Sequence, residues 1–210
     1  MVEVLVSLAK KYGVQIQTHA PVKKILTAHG AVSGVQEENG TIRDADIVVC
    51  NADMAWAETN LLEEEQQTYP LAYWKRKTFA PSAFLLYMGI EGEVQNIDHH
   101  TLLFSEDWTK NFGEIFDTKT LPDDPSLYLC TPSKTDLSVA PDGHENMFIL
   151  VPIPSGITIT DAQADAYEKK VLELVEDTIG DSFIDRIVVK RRFHVNDFAS
   201  RYNAFGGTAL

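Results

Sequence analysis

Only two cysteines, Cys50 and Cys130, occur in 210 residues. Two thiols are too few for a disulfide framework or a zinc site, so a reducing compartment is the simpler expectation. Long apolar runs are missing too. The longest uncharged stretch, Asn146 to Thr160, has 15 residues and is interrupted by Pro152 and Pro154. A spanning helix needs about 20 without such breaks. The opening MVEVLVSLAKKYGV carries Glu3 early and lacks a basic leader, which is not the pattern of a signal peptide. There is no G-x-G-x-x-G, no phosphate-binding P-loop, no G-x-S-x-G and no H-E-x-x-H. Positive charge is scarce: 18 basic residues face 31 acidic ones, a net charge of −13. Such a balance repels nucleic-acid phosphates.

What is present is globular. At 44% apolar and 23% charged residues the chain has material for one large domain or two small ones. Met1, Val4, Leu5, Leu8 and Tyr12 share a helical face that Gly13 ends. Val14 to Gln17 alternates like a short strand. Val22–Thr27, Ala31–Glu37 and a segment from Thr41 read as successive strands, with Gly30 and the hairpin pair Asn39-Gly40 between them. Asp46 to Cys50 is a continuous apolar run that predicts a strand covered on both faces. Met54–Glu65 and, weakly, Leu71–Lys77 read as helical. Ser82–Ile90, Thr101–Phe104, Ser126–Cys130, Met147–Val151 and Ile184–Arg192 read as strands, and Trp108–Phe116 as a short helix. Thr160 and Gln163 have capping-box spacing before a helix to Ile179, with Ala164, Tyr167, Val171, Leu174, Val175 and Thr178 as its stripe. The expected class is α/β with α+β character: a mixed sheet with packed helices (residues 54–195), preceded by a different layer (1–53) and followed by a return segment (196–210).

Chemistry-bearing patterns are few. Asp98-His99-His100 invites a metal reading, but neighbouring strand residues point to opposite sides, so no metal is expected there. Lys190-Arg191-Arg192 could hold an anion, although charges ending a strand are usually solvated. Phe79, Phe84, Tyr87, Phe104, Trp108, Phe112, Phe116 and Tyr128 make a dense aromatic group. Such a group is either core or the wall of an apolar ligand channel, and periodicity does not separate the two. Gly206-Gly207-Thr208 looks like a loop leading to a helix N-terminus, a setting that suits phosphate or an electron-rich ring.

The order and spacing of several segments carry a resemblance over essentially the whole chain. They are KKYGVQIQTHAPVKKI, GAVSGVQEENGTIRDADIVVCNAD, DHHTLLFSEDW, EIFD, DPSLYLCTPSKTDLSVAPDG, VPIP and FASRYNAFGGTAL. Together they resemble the phytoene desaturases, the bacterial-type carotenoid and apocarotenoid desaturases of the flavin amine oxidase-like superfamily. The resemblance implies an internal fragment of an FAD-dependent enzyme: a substrate-binding domain beside a partial Rossmann-like FAD domain whose glycine fingerprint is not in this chain. It implies dehydrogenation of a C30 or C40 isoprenoid polyene by hydride transfer to flavin, with orientation and an apolar channel as the main needs. It places Val22, Asn51, Ala52, Asp53, Gly206 and Gly207 near the cofactor, and Phe84, Phe104 and Tyr128 near the substrate. No catalytic residue is assigned. A cytoplasmic protein with peripheral membrane contact in the full-length enzyme is implied, since the substrate lives in lipid. The alternatives are another flavin oxidase or a non-catalytic prenyl-binding escort module. Polyene identity, electron acceptor and oligomeric state stay open.

Overall fold

The structure is a computed structural model and describes residues 1–209. The chain divides into two compact units, Met1–Lys75 and Arg76–Leu210.

In the first unit, helix α1 (Val2–Lys11) buries none of its residues. Strands β1 (Val22–Ala28), β2 (Ala31–Glu37) and β3 (Ile42–Asp44) form an antiparallel meander. Its first turn is tight because His29 and Gly30 both take positive φ, the conformation that matches strand twist in a two-residue hairpin. At the second turn Asn39 Oδ1 accepts the Thr41 N–H at 2.8 Å. Helix α2 (Met54–Leu61) starts where Asp53 Oδ1 accepts the Trp56 N–H at 2.8 Å. The buried Glu58 accepts the Tyr69 N–H and so ties α2 to the segment before the short helix α3 (Leu71–Trp74).

Two expected strands of this unit do not form. Val14–Gln17 joins no strand ladder among the described residues, and its Val14 N–H turns back to the Ala9 carbonyl of α1. Asp46–Cys50 is irregular, with Ile47 79% and Val49 88% exposed. The apolar pattern of a doubly covered strand is there, but a strand needs a ladder partner and neither segment has one.

The second unit holds a five-stranded sheet in the order β5-β6-β7-β4-β8. Its strands are β4 (Ser82–Glu91), β5 (His100–Leu103), β6 (Leu127–Cys130), β7 (His144–Ile153) and β8 (Ile187–Phe193). Every ladder is antiparallel, so the class holds, but neighbouring strands alternate in direction throughout where a mixed sheet was expected. Helix α4 (Trp108–Gly113) runs on into a wide turn, Glu114–Thr118, and stops at Lys119 with φ +55°.

Helix α5 (Asp161–Ile179) begins with a complete capping box between Thr160 and Gln163 and ends at Gly180 with φ +68°. It covers one face of the sheet. Phe84, Leu86, Met88 and Ile90 of β4, Leu127 and Leu129 of β6, and Met147, Ile149, Val151 and Ile153 of β7 pack with its Ala164, Tyr167, Val171 and Val175. Leu172 and Ile179 complete the buried stripe, and the expected Thr178 is exposed. Lys190 and Arg192 of β8 pair with Glu168, and Arg192 also with Asp165, so two members of the basic cluster are neutralised by α5. Helix α6 (Val195–Tyr202) had no counterpart in the sequence reading.

Candidate functional site: the open face of the sheet

Strand alternation sends the odd residues of β4 away from α5. Residues directly opposite across the ladders share that face. His100, Cys130, Phe148, Tyr87 and Arg191 make one row across five strands. Leu102, Tyr128, Leu150, Leu85 and Phe193 make the next. The rings of the two rows touch: Tyr87 and Phe148 centroids are 4.9 Å apart, Tyr128 and Phe148 6.3 Å, and His100 and Tyr128 5.9 Å. At one corner Phe193 meets Phe198 and Tyr202 of α6, which covers that end. Beyond β5 the face continues through Phe104, 5.3 Å from Trp108, and on through Phe112 to Phe116. Phe104 is 60%, Trp108 53% and Tyr87 47% exposed, so this is an uncovered aromatic surface.

Next to Tyr87 the surface deepens into an open apolar cleft of about 310 Å³ lined by Tyr87, Gly89, Val139, Pro141, Val189 and Arg191. Gly89 makes it: a Cβ there would meet Val189 Cγ1 at 2.7 Å, so glycine lets β8 lie close. Arg191 is a cationic side chain of this lining, which also takes in His144, Glu145 and Asn146 beside its hydrocarbon and aromatic residues. Such a surface can seat and orient a long apolar ligand. It offers stacking and dispersion rather than acid–base chemistry.

The expected substrate residues separate. Phe104 and Tyr128 lie on the open face. Phe84 lies on the other, with no exposed surface, edge-on to Tyr167 at 5.2 Å and stacked on His194 at 6.0 Å. It is a core residue, and a ligand on the open face does not reach it. Tyr87 and Phe148, which were not assigned to the substrate, share the open face with Phe104 and Tyr128. The run SAFLLYMGI is apolar at nearly every position, which hid the alternation.

The expected cofactor residues fall in separate units. Val22 is half-buried at the start of β1, and Asn51 is exposed. Ala52 lines an open cleft of about 350 Å³ with Ile25, Cys50, Met54, Ala57, Glu58 and Leu62. The Asp53 carboxylate is engaged in capping α2. Gly206 and Gly207 both have positive φ, in a short turn rather than at the start of a helix. A Cβ on Gly207 would come within 2.4 Å of the Val195 carbonyl oxygen, so packing against α6 already requires that glycine. At these positions, among the described residues, there is no glycine-rich strand-to-helix turn of the kind that holds a pyrophosphate, and the Asp53 carboxylate is already bonded.

One cluster has a different geometry from the one expected of neighbouring strand residues. His99 precedes β5 rather than lying in it, so alternation does not separate it from His100. The two rings face each other with centroids 4.2 Å apart. His99, His100 and Cys130 each bring a ligand atom to within 4.8 Å of the others. The Tyr128 hydroxyl bonds His100 Nδ1 at 2.7 Å, and its hydrogen bond with Cys130 holds the phenol above its ordinary range.

The flavin containing amine oxidoreductase family matches residues 1–209. A carotenoid 3,4-desaturase of Haloarcula japonica is 47% identical over the whole chain, which covers 42% of that protein. A zeta-carotene-forming phytoene desaturase of Myxococcus xanthus is 36% identical over 72% of this chain and 29% of its own length. An oxidoreductase from Methanosarcina mazei has the same fold over 92% of this chain and 41% of its own, with a TM-score of 0.57 at 19% identity. The chain thus spans less than half the length of these relatives. It belongs to the flavin containing amine oxidoreductase family.

Proposed function

We propose that this chain is the carotenoid-binding part of an FAD-dependent desaturase of carotenoid biosynthesis. The full enzyme introduces double bonds into a C30 or C40 isoprenoid polyene. The observation that carries this reading is the open aromatic face, two cross-strand rows ending in the Tyr87 cleft. A conjugated polyene is long, flat and apolar, and it matches a sheet face of rings and hydrocarbon better than any charged substrate does. The relatives' desaturase names agree with it. Removal of an allylic hydride is the chemistry that FAD supplies when bound. The residues present here bind and orient the chain. We assign that role to the region 54–195, a flavin-side role to residues 1–53, and a return towards the flavin to 196–210.

No helix among the described residues is long and apolar enough to cross a membrane. Peripheral contact falls on the exposed run Phe104, Trp108 and Phe112, the aromatic side chains suited to a membrane interface.

The test is binding of a C40 polyene, delivered in micelles and followed by the absorbance shift of the bound pigment. Wild type should bind, and Tyr87→Ala and Tyr128→Ala should each weaken binding about 3- to 10-fold, the equivalent of one aromatic contact. Unchanged binding in both variants would remove the open face as the site.

A further inference from the structure

We infer that His99, His100 and Cys130 form a binding site for a zinc-type divalent ion at the β5–β6 edge of the open face. This goes beyond the polyene reading and does not depend on it. Three observations carry it. First, two imidazoles and a thiol, the donor set that suits zinc, converge with their ligand atoms within 4.8 Å of one another. In a tetrahedral site with Zn–N near 2.0 Å and Zn–S near 2.3 Å, ligand atoms stand about 3.3–3.6 Å apart. Side-chain rotations of about an ångström therefore close the set.

Second, the backbone fixes the donors. Cys130 and His100 are direct partners across the β5–β6 ladder, and the His99 carbonyl accepts the Thr131 N–H at 2.8 Å. The three residues sit on one stretch of paired backbone, so little ordering remains to be done by the ion. Third, each imidazole has a hydroxyl behind it. His99 Nδ1 lies 2.6 Å from Thr135 Oγ1, and His100 Nδ1 lies 2.7 Å from Tyr128 Oη. Hydrogen bonds of this kind fix ring orientation and tautomer in metal sites.

Among the described residues no carboxylate joins the set, so the site takes up a dication with one thiolate and two neutral ligands. The Cys130 S–H bond breaks as the S–metal bond forms, and its proton goes to solvent. Nothing is oxidised or reduced. His100 is exposed, so water supplies the fourth ligand.

The experiment uses the full chain under a non-chelating reductant, titrated with Co²⁺ as the spectroscopic stand-in for Zn²⁺. Stoichiometric uptake should give a thiolate-to-cobalt charge-transfer band in the near ultraviolet and tetrahedral bands in the visible, and Zn²⁺ should displace both. Cys130→Ser should abolish the charge-transfer band. His100→Ala changes an exposed residue, should fold as wild type by circular dichroism, and should abolish tight binding. Tyr128→Phe and Thr135→Ala should weaken it about 10- to 100-fold, the usual effect of removing a bond behind a ligand. His144→Ala, outside the cluster, should change nothing. No thiolate band, or a band that survives in both His100→Ala and Cys130→Ser, would overturn the assignment.

Discussion

Phe84 and Tyr87 stand three residues apart on one strand and face opposite ways, so replacing each by alanine tests the sidedness on which the site rests. Phe84 has no exposed surface and touches Tyr167 and His194. Its loss removes a whole buried ring and leaves a cavity between sheet and α5 that a strand and a helix cannot close. The expected cost is about 3–5 kcal/mol. With a urea slope of about 2 kcal/mol per molar, the unfolding midpoint should fall by about 1.5–2.5 M. Tyr87 is 47% exposed and rests chiefly on Phe148. Its replacement loses part of a ring's burial and one aromatic pair, under about 1.5 kcal/mol. Urea unfolding followed by tryptophan fluorescence reads both. Polyene binding should show the reverse order: weakened in Tyr87→Ala and, at urea-free temperatures where both are folded, retained in Phe84→Ala. Equal midpoint shifts, or a Phe84→Ala midpoint that matches wild type, would refute the assignment of the two faces.

Three further outcomes follow from particular residues. Gly207→Ala should lower the thermal midpoint, because a Cβ at φ +68° meets the Val195 carbonyl oxygen at 2.4 Å and positive-φ strain alone costs about 1–3 kcal/mol; Gly143→Ala, with open space around it, should cost less. Burial first, with Arg192 adding to it against the pull of Asp197, holds His194 below 6.5 in the folded chain. As pH falls through about 6.5 the unfolded chain takes up a proton that the folded site resists, so stability drops from there until the folded group titrates too. His194→Asn keeps an N-cap for α6 and should lose this component, seen as a flatter thermal midpoint between about pH 8 and pH 5; parallel profiles for the two proteins would refute it. Finally, the purified chain should not retain added FAD through dialysis, since it has no pyrophosphate cradle; a flavin absorbance band that persists would place the cofactor site elsewhere in these residues.

The parts legible in the sequence were those whose signal is local. The capping box at Thr160 and Gln163, Gly180 as helix stop and the long apolar β4 and β7 each depend on a few neighbouring residues. Sidedness was not local. In β4 both faces are apolar, so only the ladder partners separate Phe84 from Tyr87. Helix α6 went unread because its cap is His194 with Asp197 three residues on, an unusual variant of a capping box, although Val195, Phe198 and Tyr202 keep helical spacing. The Asp46–Cys50 run failed in the opposite sense: hydrophobicity states that a segment wants cover, not that cover is present. For the histidine pair the opposite-sides argument does not apply, since β5 starts at His100 and His99 lies before it. Of the rings on the open face, Tyr87, Phe104 and Tyr128 were already members of the aromatic group in the sequence, and only the ladder partners bring in Phe148.

The open face also explains why so acidic a chain carries so many exposed rings. Scattered surface hydrophobes are ordinary, but Tyr87, Leu102, Phe104, Trp108 and Phe112 belong to one region and are each about half exposed or more. Contiguous apolar surface of this kind marks a binding site or invites self-association. The two outcomes are separated by charge. At −13 the molecules repel one another, which opposes face-to-face stacking of two copies, while an uncharged polyene is not repelled at all. The same argument limits the membrane contact: an anionic bilayer repels this chain, so the Trp108 edge should prefer neutral lipid, and raising salt should strengthen its partition into anionic vesicles while leaving neutral ones unaffected. Partition that weakens with salt on anionic vesicles would show that a basic surface, and not the aromatic edge, makes the contact.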